Sequence, residues 1–264
     1  LGSRALGGKG RILTDEYTTQ EIESTLLINI NKDITEDIGF KATLGNNVNQ
    51  LTETQRKISG LNIMSPGVYN LENTESQTAE EYYSRRSLWA LFADITFDFK
   101  NYLFLGVSAR NDWSSTLPKD HRSYFYPAVT ASFVFTDAFH INSNALNFGK
   151  IRASWAKVGN DASPYYNNGT YLLGQPYLGQ AQMALRDVRF DPKLKPEFTS
   201  EVEVGLDLQM FNSRLNLDFS YYNRNSTDQI APLSLPYSTG YTSYYTNFGK
   251  MNNCLLYTSD AADD

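Results

Sequence analysis

The clearest pattern in the chain lies between Glu201 and Tyr222. Val202, Val204, Leu206, Leu208 and Met210 alternate with Glu201, Glu203, Gly205, Asp207 and Gln209. After the turn residues Asn212 and Ser213 the alternation resumes. Leu215, Leu217, Phe219 and Tyr221 fall on one side, and Asn216, Asp218, Ser220 and Tyr222 on the other. Strict period two marks a β-strand with one oily and one wet face, and two such strands joined by a tight turn make a hairpin.

The same pattern recurs upstream. Leu26, Ile28 and Ile30 predict a strand over 24–32, and Ile38, Phe40, Ala42 and Leu44 a second. From Trp89, Leu91, Ala93, Ile95, Phe97 and Phe99 alternate with Phe92, Asp94, Thr96 and Asp98. Only Lys100 and Asn101 separate this strand from the next, where Leu103, Leu105, Val107 and Ala109 oppose Phe104, Ser108, Arg110 and Asp112. Val129, Ala131, Phe133 and Phe135 mark a fifth strand, and Ile151, Ala153 and Trp155 a sixth. A last strand is expected over 244–253. The mixed residues 1–23 read as loop or frayed strand, and the polar stretches 50–86 and 160–196 as long loops. Connections therefore alternate between short (near 33, 100 and 212, more loosely 136–149) and long, as in outer-membrane barrels. Aromatic residues gather where strands are expected to end, at Tyr102, Phe104, Trp113, Tyr124, Phe125, Tyr221 and Tyr222. Amphipathic rings suit the two membrane interfaces.

Composition bears on which surface the oily faces meet. The 264 residues are 41% hydrophobic and 20% charged, with mean hydropathy −0.43. No apolar run approaches the roughly 20 residues of a spanning helix. Barrel strands expose lipid on alternate residues only, so a mildly polar average is compatible with them. A soluble β-sandwich, such as a carbohydrate-binding module, alternates too. Its strands usually run to about five or six residues, whereas those here suit a tilted membrane crossing of about 9 to 11. The reading is all-β: an antiparallel meander forming a partial, open segment of a large transmembrane β-barrel. Its first and last strands should not meet. Leu91, Ile95, Leu105, Val107, Val204, Leu206, Leu217 and Phe219 should share its outer, convex face. Net charge −6 argues against a nucleic-acid partner.

The string DPKLKPEFTSEVEVGLDLQMFNSRLNLDFSYYNRNSTDQI at 191–230, with PYSTGY at 236 and TNFGKMNN at 246, resembles the SusC/RagA family of TonB-linked outer-membrane transporters. RSLWALFADITFDFKNYLFLGVSARNDWSSTLP, SYFYPAVTASFVFTDAF and LNFGKIRASWAKVGND upstream are similar to the same family. The resemblance implies a barrel of about 22 strands with a plugged lumen. It also implies import of large nutrients, glycans or peptides, across the outer membrane of a Gram-negative bacterium. The implied partners are TonB, through an N-terminal region, and a SusD-like surface lipoprotein. On that reading residues 1–253 are a barrel fragment, with plug, TonB box, signal peptide and most strands outside it. The terminal CLLYTSDAADD breaks the alternation, holds the sole cysteine and three of the 29 acidic residues, and resembles sequencing-adapter read-through. Residues 254–264 are expected to be foreign.

No catalytic set, metal site or cofactor motif emerges. GGKGR at 7–11 lacks the phosphate-loop spacing, Gly106-Val-Ser-Ala-Arg fails as a nucleophile elbow, and His121 and His140 stand alone. Carboxylates on one strand face, Asp94 with Asp98 and Glu201 with Glu203, fit a water-facing wall better than a glycosidase cleft. Asp94, Asp98, Arg152, Glu201, Glu203, Asp207 and Asp218 are accordingly expected to face a lumen. Arg110 and Asp112, and the loop tyrosines Tyr165, Tyr166, Tyr171 and Tyr177, are candidates for solute contact. Functional residues concentrate in loops on rigid scaffolds, and aromatic faces stack on sugar rings.

Overall fold

A computed structural model describes residues 10–141, 143–166, 169 and 171–258. The glycine-rich Gly7–Lys9 part of the N-terminal motif and residues 259–264 of the tail lie outside them. The described strands are β1 (Arg11–Thr35), β2 (Ile38–Ile63), β3 (Thr74–Phe99), β4 (Leu103–Ser114), β5 (Ser123–Val134) and β6 (Leu146–Asn160). They continue with β7 (Tyr171–Tyr177), β8 (Gln180–Leu185), β9 (Val188–Phe190), β10 (Glu197–Met210), β11 (Leu215–Ser234) and β12 (Ser243–Thr258). One four-residue helix, α1 (Phe135–Ala138), follows β5. Among the described residues no helix is long and apolar enough to cross a membrane, which says nothing of strands.

Ten strands form one sheet in the order β1-β2-β3-β4-β5-β6-β10-β11-β12-β9, and its end strands do not pair with each other. It is an open sheet, as the alternation predicts. Three strands depart from a plain meander. β9 joins the β12 edge in parallel, through Val188–Phe190 against Ser243–Tyr245. There it takes up backbone groups that an edge strand leaves unpaired. β7 and β8 make a separate two-stranded sheet.

Turn chemistry explains the tight connections. Lys100 and Asn101 both have positive φ, 48° and 56°, as a two-residue type I′ hairpin turn requires. Phe211, Asn212 and Ser213 do the same at the β10–β11 turn. There the Asn147 side-chain oxygen accepts from the Asn212 N–H at 2.7 Å.

Several expected boundaries are corrected. Residues 11–23 belong to β1, and most of the supposed 50–86 loop is strand, leaving only 64–73 between β2 and β3. Ladder hydrogen bonds hold these polar stretches extended without an oily face. The supposed 160–196 loop contains β7, β8 and β9. β11 runs well past Tyr221 and Tyr222, which lie mid-strand. β12 passes Asn253 to Thr258 because Asn223–Phe219 of β11 offer it a pairing edge.

The chain divides into two compact units, residues 1–23 with 49–87 and residues 24–48 with 88–264. In the first, cross-strand polar pairs dominate: Tyr17 donates to Glu53 at 2.8 Å, Asn49 to Glu21 at 2.6 Å, and Arg56 meets Glu81 at 3.1 Å.

In the second unit the register sorts the two faces. Ile95, Val107, Val129, Trp155 and Val202 stand side by side across five strands. So do Phe97, Leu105, Ala131, Ala153, Val204 and Tyr221. No second sheet covers this face: Leu105 is 45% exposed, Val107 48% and Val204 47%. Ile95, Leu206 and Leu217 are half-buried by their neighbours, and none of the eight predicted outer residues is sealed in a core. Trp89 and Trp113 stack 4.2 Å apart at one end of the band. At the other end Phe99, Tyr102, Phe133 and Phe139 make a run of edge contacts. Ten residues separate Trp89 from Phe99, about 33 Å along a strand, or about 25 Å of height at a barrel tilt near 40°. That is the height of a lipid-facing band.

Candidate functional site

The opposite face is built from the residues between the apolar ones. Asp94, Ser108, Ala128, Ala156, Glu201 and Arg224 form one cross-strand row. Thr96, Gly106, Thr130, Ser154, Glu203 and Tyr222 form the next, and Asp98, Phe104, Ser132, Arg152, Gly205 and Ser220 the third. Lys150, Asp207 and Asp218 form a fourth row, so all seven residues expected at the wall share one face in the register.

Arg152 is the hub of its charges. The guanidinium reaches Asp207 and Ser220 closely, Asp218 at 2.9 Å and Glu203 at 3.7 Å. Lys150 adds a second cation on Asp207 at 2.9 Å. Arg224 pairs with Glu201 two rows away. A planar fork with five donors can serve several acceptors at once, which an ammonium cannot. Gly205 lies directly opposite Arg152 in the ladder, and a Cβ there would run into the guanidinium. A side chain on Gly39 would likewise collide with the Asp98 carboxylate. A glycine in a strand interior often marks such a close approach. Gly205, interrupting the Glu-Glu-Gly-Asp series, was the signal in the sequence for this hub.

Arg110 and Asp112 meet each other. Arg110 Nε donates to Asp112 at 2.7 Å, and the Tyr126 hydroxyl donates to the same carboxylate at 2.6 Å. The Arg110 guanidinium also lies 5.6 Å from the centre of the Phe92 ring. Asp112 is 4% exposed, so its carboxylate serves this cluster and leaves no open face for a solute. Arg110 and Tyr126 line a recess of about 410 Å³ with Phe92, Asp94 and Ala128. Nothing in the spacing of residues 110 and 112 pointed to Tyr126, because strand register brings it there.

The tyrosines separate. Tyr166 packs on Phe190 and Tyr245, with ring centres 5.1 and 4.8 Å away. Tyr171 and Tyr177 are exposed at the ends of β7, and Tyr165 has a positive φ of 66° beside Tyr166. Tyr166 also borders a small dry core of Leu117, Tyr124, Ala162 and Leu194, where the 115–122 and 161–196 connections meet. Beside it the buried Asp161 accepts from Ser114 and from Thr116 at 3.1 Å. His121 and His140 remain on separate connections.

A polar clamp fixes the return from β9 to β10. Thr246 donates to Asp191 at 2.7 Å, the Lys193 N–H donates to it at 2.9 Å, and Asn247 exchanges hydrogen bonds with the Lys195 backbone at 2.8 and 2.9 Å. Burial opposes the Asp191 charge, but the bonds from Thr246 and Lys193 outweigh it and hold the carboxyl below its usual range. Burial and the bond to Asp191 together push the Tyr244 phenol up.

An open sheet with an uncovered apolar band on one face and a charged network on the other defines a stretch of membrane-barrel wall. The family described as "TonB dependent receptor-like, beta-barrel" matches residues 3–253, and the chain belongs to it. That is a family of receptors of the outer membrane. The chain is 28% identical over 200 residues to TonB-dependent receptor P26 of Formosa agariphila, covering 74% of this chain and 20% of that protein. To TonB-dependent receptor SusC of Bacteroides thetaiotaomicron it is 26% identical over 200 residues, covering 70% of the chain and 20% of SusC. The chain thus spans about a fifth of the length of the curated relatives it matches. Its backbone superposes on the RagAB peptide transporter with a TM-score of 0.85 at 21% identity, over 93% of this chain and 28% of that one. The SusC/RagA resemblance is borne out.

Proposed function

We propose that the chain forms part of the barrel wall of an outer-membrane TonB-dependent transporter that imports large nutrients, glycans or peptides, and performs no catalysis. The observation that carries this is the uncovered apolar band, about the height of a bilayer core, backed by a face of paired charges. The band meets lipid, and Asp94, Asp98, Arg152, Glu201, Glu203, Asp207 and Asp218 line the lumen. Solute passes along that wall when TonB, engaged through an N-terminal region of the full-length protein, opens the lumen. A SusD-like surface lipoprotein covers the rim formed by the long connections, in keeping with the names of the relatives SusC and RagAB.

Among the solute candidates, exposure and pairing favour some over others. Arg110, whose fork is only partly used by Asp112, lines the recess on the wall. Tyr171 and Tyr177 are open for stacking, Tyr165 is exposed as well, Tyr166 supports the rim from within, and Asp112 orients Arg110. Residues 1–253 are the receptor segment and 254–264 are foreign to it. The family match ends at 253, and pairing puts Leu255 opposite Tyr222 on the polar face.

The test is cell fractionation and uptake with the full-length protein. It should require detergent for release from the outer membrane, and its deletion should abolish growth on a particular glycan or peptide source. Recovery in the soluble phase without detergent would sink the proposal.

A further inference from the structure

On the apolar face, where β1 to β5 run side by side, the band is interrupted by a recess of about 420 Å³. Its cause is local. Ala93 and Ala109 stand directly opposite each other in the ladder, with the compact ring of Pro127 next in the row, so three short side chains lie side by side. Leu26, Leu44, Leu91 and Phe125 rise around them and are themselves exposed. Among the described residues no charged side chain lines the recess.

Its two ends differ. Towards the long-connection rim the lining turns to amides: Asn111, which donates to Ser123 at 3.0 Å, and Asn46, which donates to the Ala90 carbonyl at 3.4 Å. The stacked Trp89 and Trp113 follow immediately beyond, one outward-facing position further along β3 and β4. Away from the rim the recess opens onto Ile95 and Val107 and is wholly apolar. A groove that is amide-lined at the interface and oily towards mid-band has the polarity of a lipid tail entering from its headgroup. Its walls lie inside the band, below the tryptophan pair, so a water-soluble partner does not reach them.

We propose that this recess seats one acyl chain of a lipid of the bilayer leaflet on the long-connection side. The inference rests on the membrane reading above. Seating covers the exposed walls of Leu26, Leu91 and Phe125, and gives the lipid a residence that a flat part of the band does not offer. A volume of about 420 Å³ lies within the range of about 300–1,000 Å³ that small-molecule sites occupy.

The experiment uses the purified full-length protein alone in nanodiscs of phosphatidylcholine doped with a diazirine-tailed phosphatidylcholine. Labelled peptides are mapped by mass spectrometry after illumination. Peptides holding Ala93 and Ala109 should carry about fivefold more label than those holding the equally outward Ile151 and Val204, an advantage of about 1 kcal/mol at 1.4 kcal/mol per tenfold. The double variant Ala93→Leu/Ala109→Leu, which fills the recess, should bring that label down to the level of the rest of the band. Uniform labelling of the band in the unaltered protein would overturn the seat while leaving the membrane reading intact. Enrichment that survives the filling variant would overturn it as well. No label anywhere on the band would refute the membrane reading itself.

Discussion

Two halves of β3 do different work with the same backbone. From Leu88 to Phe99 the strand alternates large apolar residues with Phe92, Asp94, Thr96 and Asp98, and its outer face has no protein cover. From Thr74 to Ser87 both parities are polar: Glu75, Gln77, Glu81 and Tyr83 on one, Ser76, Thr78, Glu80 and Tyr82 on the other. β1 and β2 show the same change along their length. Hydrogen-bonded pairing makes a strand in either half, whereas alternation records what the strand lies against. On the proposed function, one half lies at a boundary between oil and water, and the other has water on both sides.

The largest expected effect follows from that boundary. Val107→Lys puts a charge in mid-band and should destabilise the full-length protein in lipid vesicles by about 2–4 kcal/mol. Thr78→Lys, at an equally exposed site of the polar half, should stay within about 0.5 kcal/mol. Denaturant unfolding from vesicles reads both, and equal effects would erase the distinction.

Arg152→Ala comes next. It leaves Asp207 and Asp218 without their shared fork, and should cost about 1–3 kcal/mol by the same measurement. Arg152→Lys should recover only part of the loss, since one ammonium cannot span Asp207, Asp218 and Ser220 together.

The rim clamp should show itself in acid. Asp191 has a depressed carboxyl in the folded protein, so its contribution is complete above the ordinary value of 3.8 and is lost as pH falls through the folded value. Amide exchange at Lys193 and Thr246 should accelerate over that descent, and Asp191→Asn should remove the pH dependence. The smallest effect belongs to the polar half. Arg56 and Glu81 are about two-thirds exposed, and Arg56→Ala should cost no more than about 0.5 kcal/mol.

The same contrast governs what could be read before the structure. Every long strand with an oily face was legible, down to the Lys100–Asn101 turn, because a sheet with one apolar face writes period two into the chain. The polar halves of β1, β2 and β3 were read as loop, since Tyr17–Glu53, Asn49–Glu21 and Arg56–Glu81 pair only once the register is known. Register also decided the candidate site. Alternation alone put the seven expected wall residues on one face of the sheet. Tyr126 on Asp112, Lys150 on Asp207 and Ser220 on Arg152 come from other strands and have no local signature. Tyr166 was grouped with Tyr171 and Tyr177 because all are loop tyrosines, yet contacts with Phe190 and Tyr245 make it part of the rim's packing.

The most direct test of the two-halves account is a scan of spin-labelled cysteines in the full-length protein in bilayers, read by collisions with oxygen and with a water-soluble nickel chelate. Labels at Leu103, Leu105, Val107 and Ala109 should collide with oxygen and hardly with nickel, whereas Phe104 and Ser108 should lack the oxygen excess. Along Glu75 to Glu81 nickel should reach labels of both parities, with no period of two. Odd positions of β4 shielded from both reagents, as in a packed core, or open to nickel, as on a watery surface, would contradict the account.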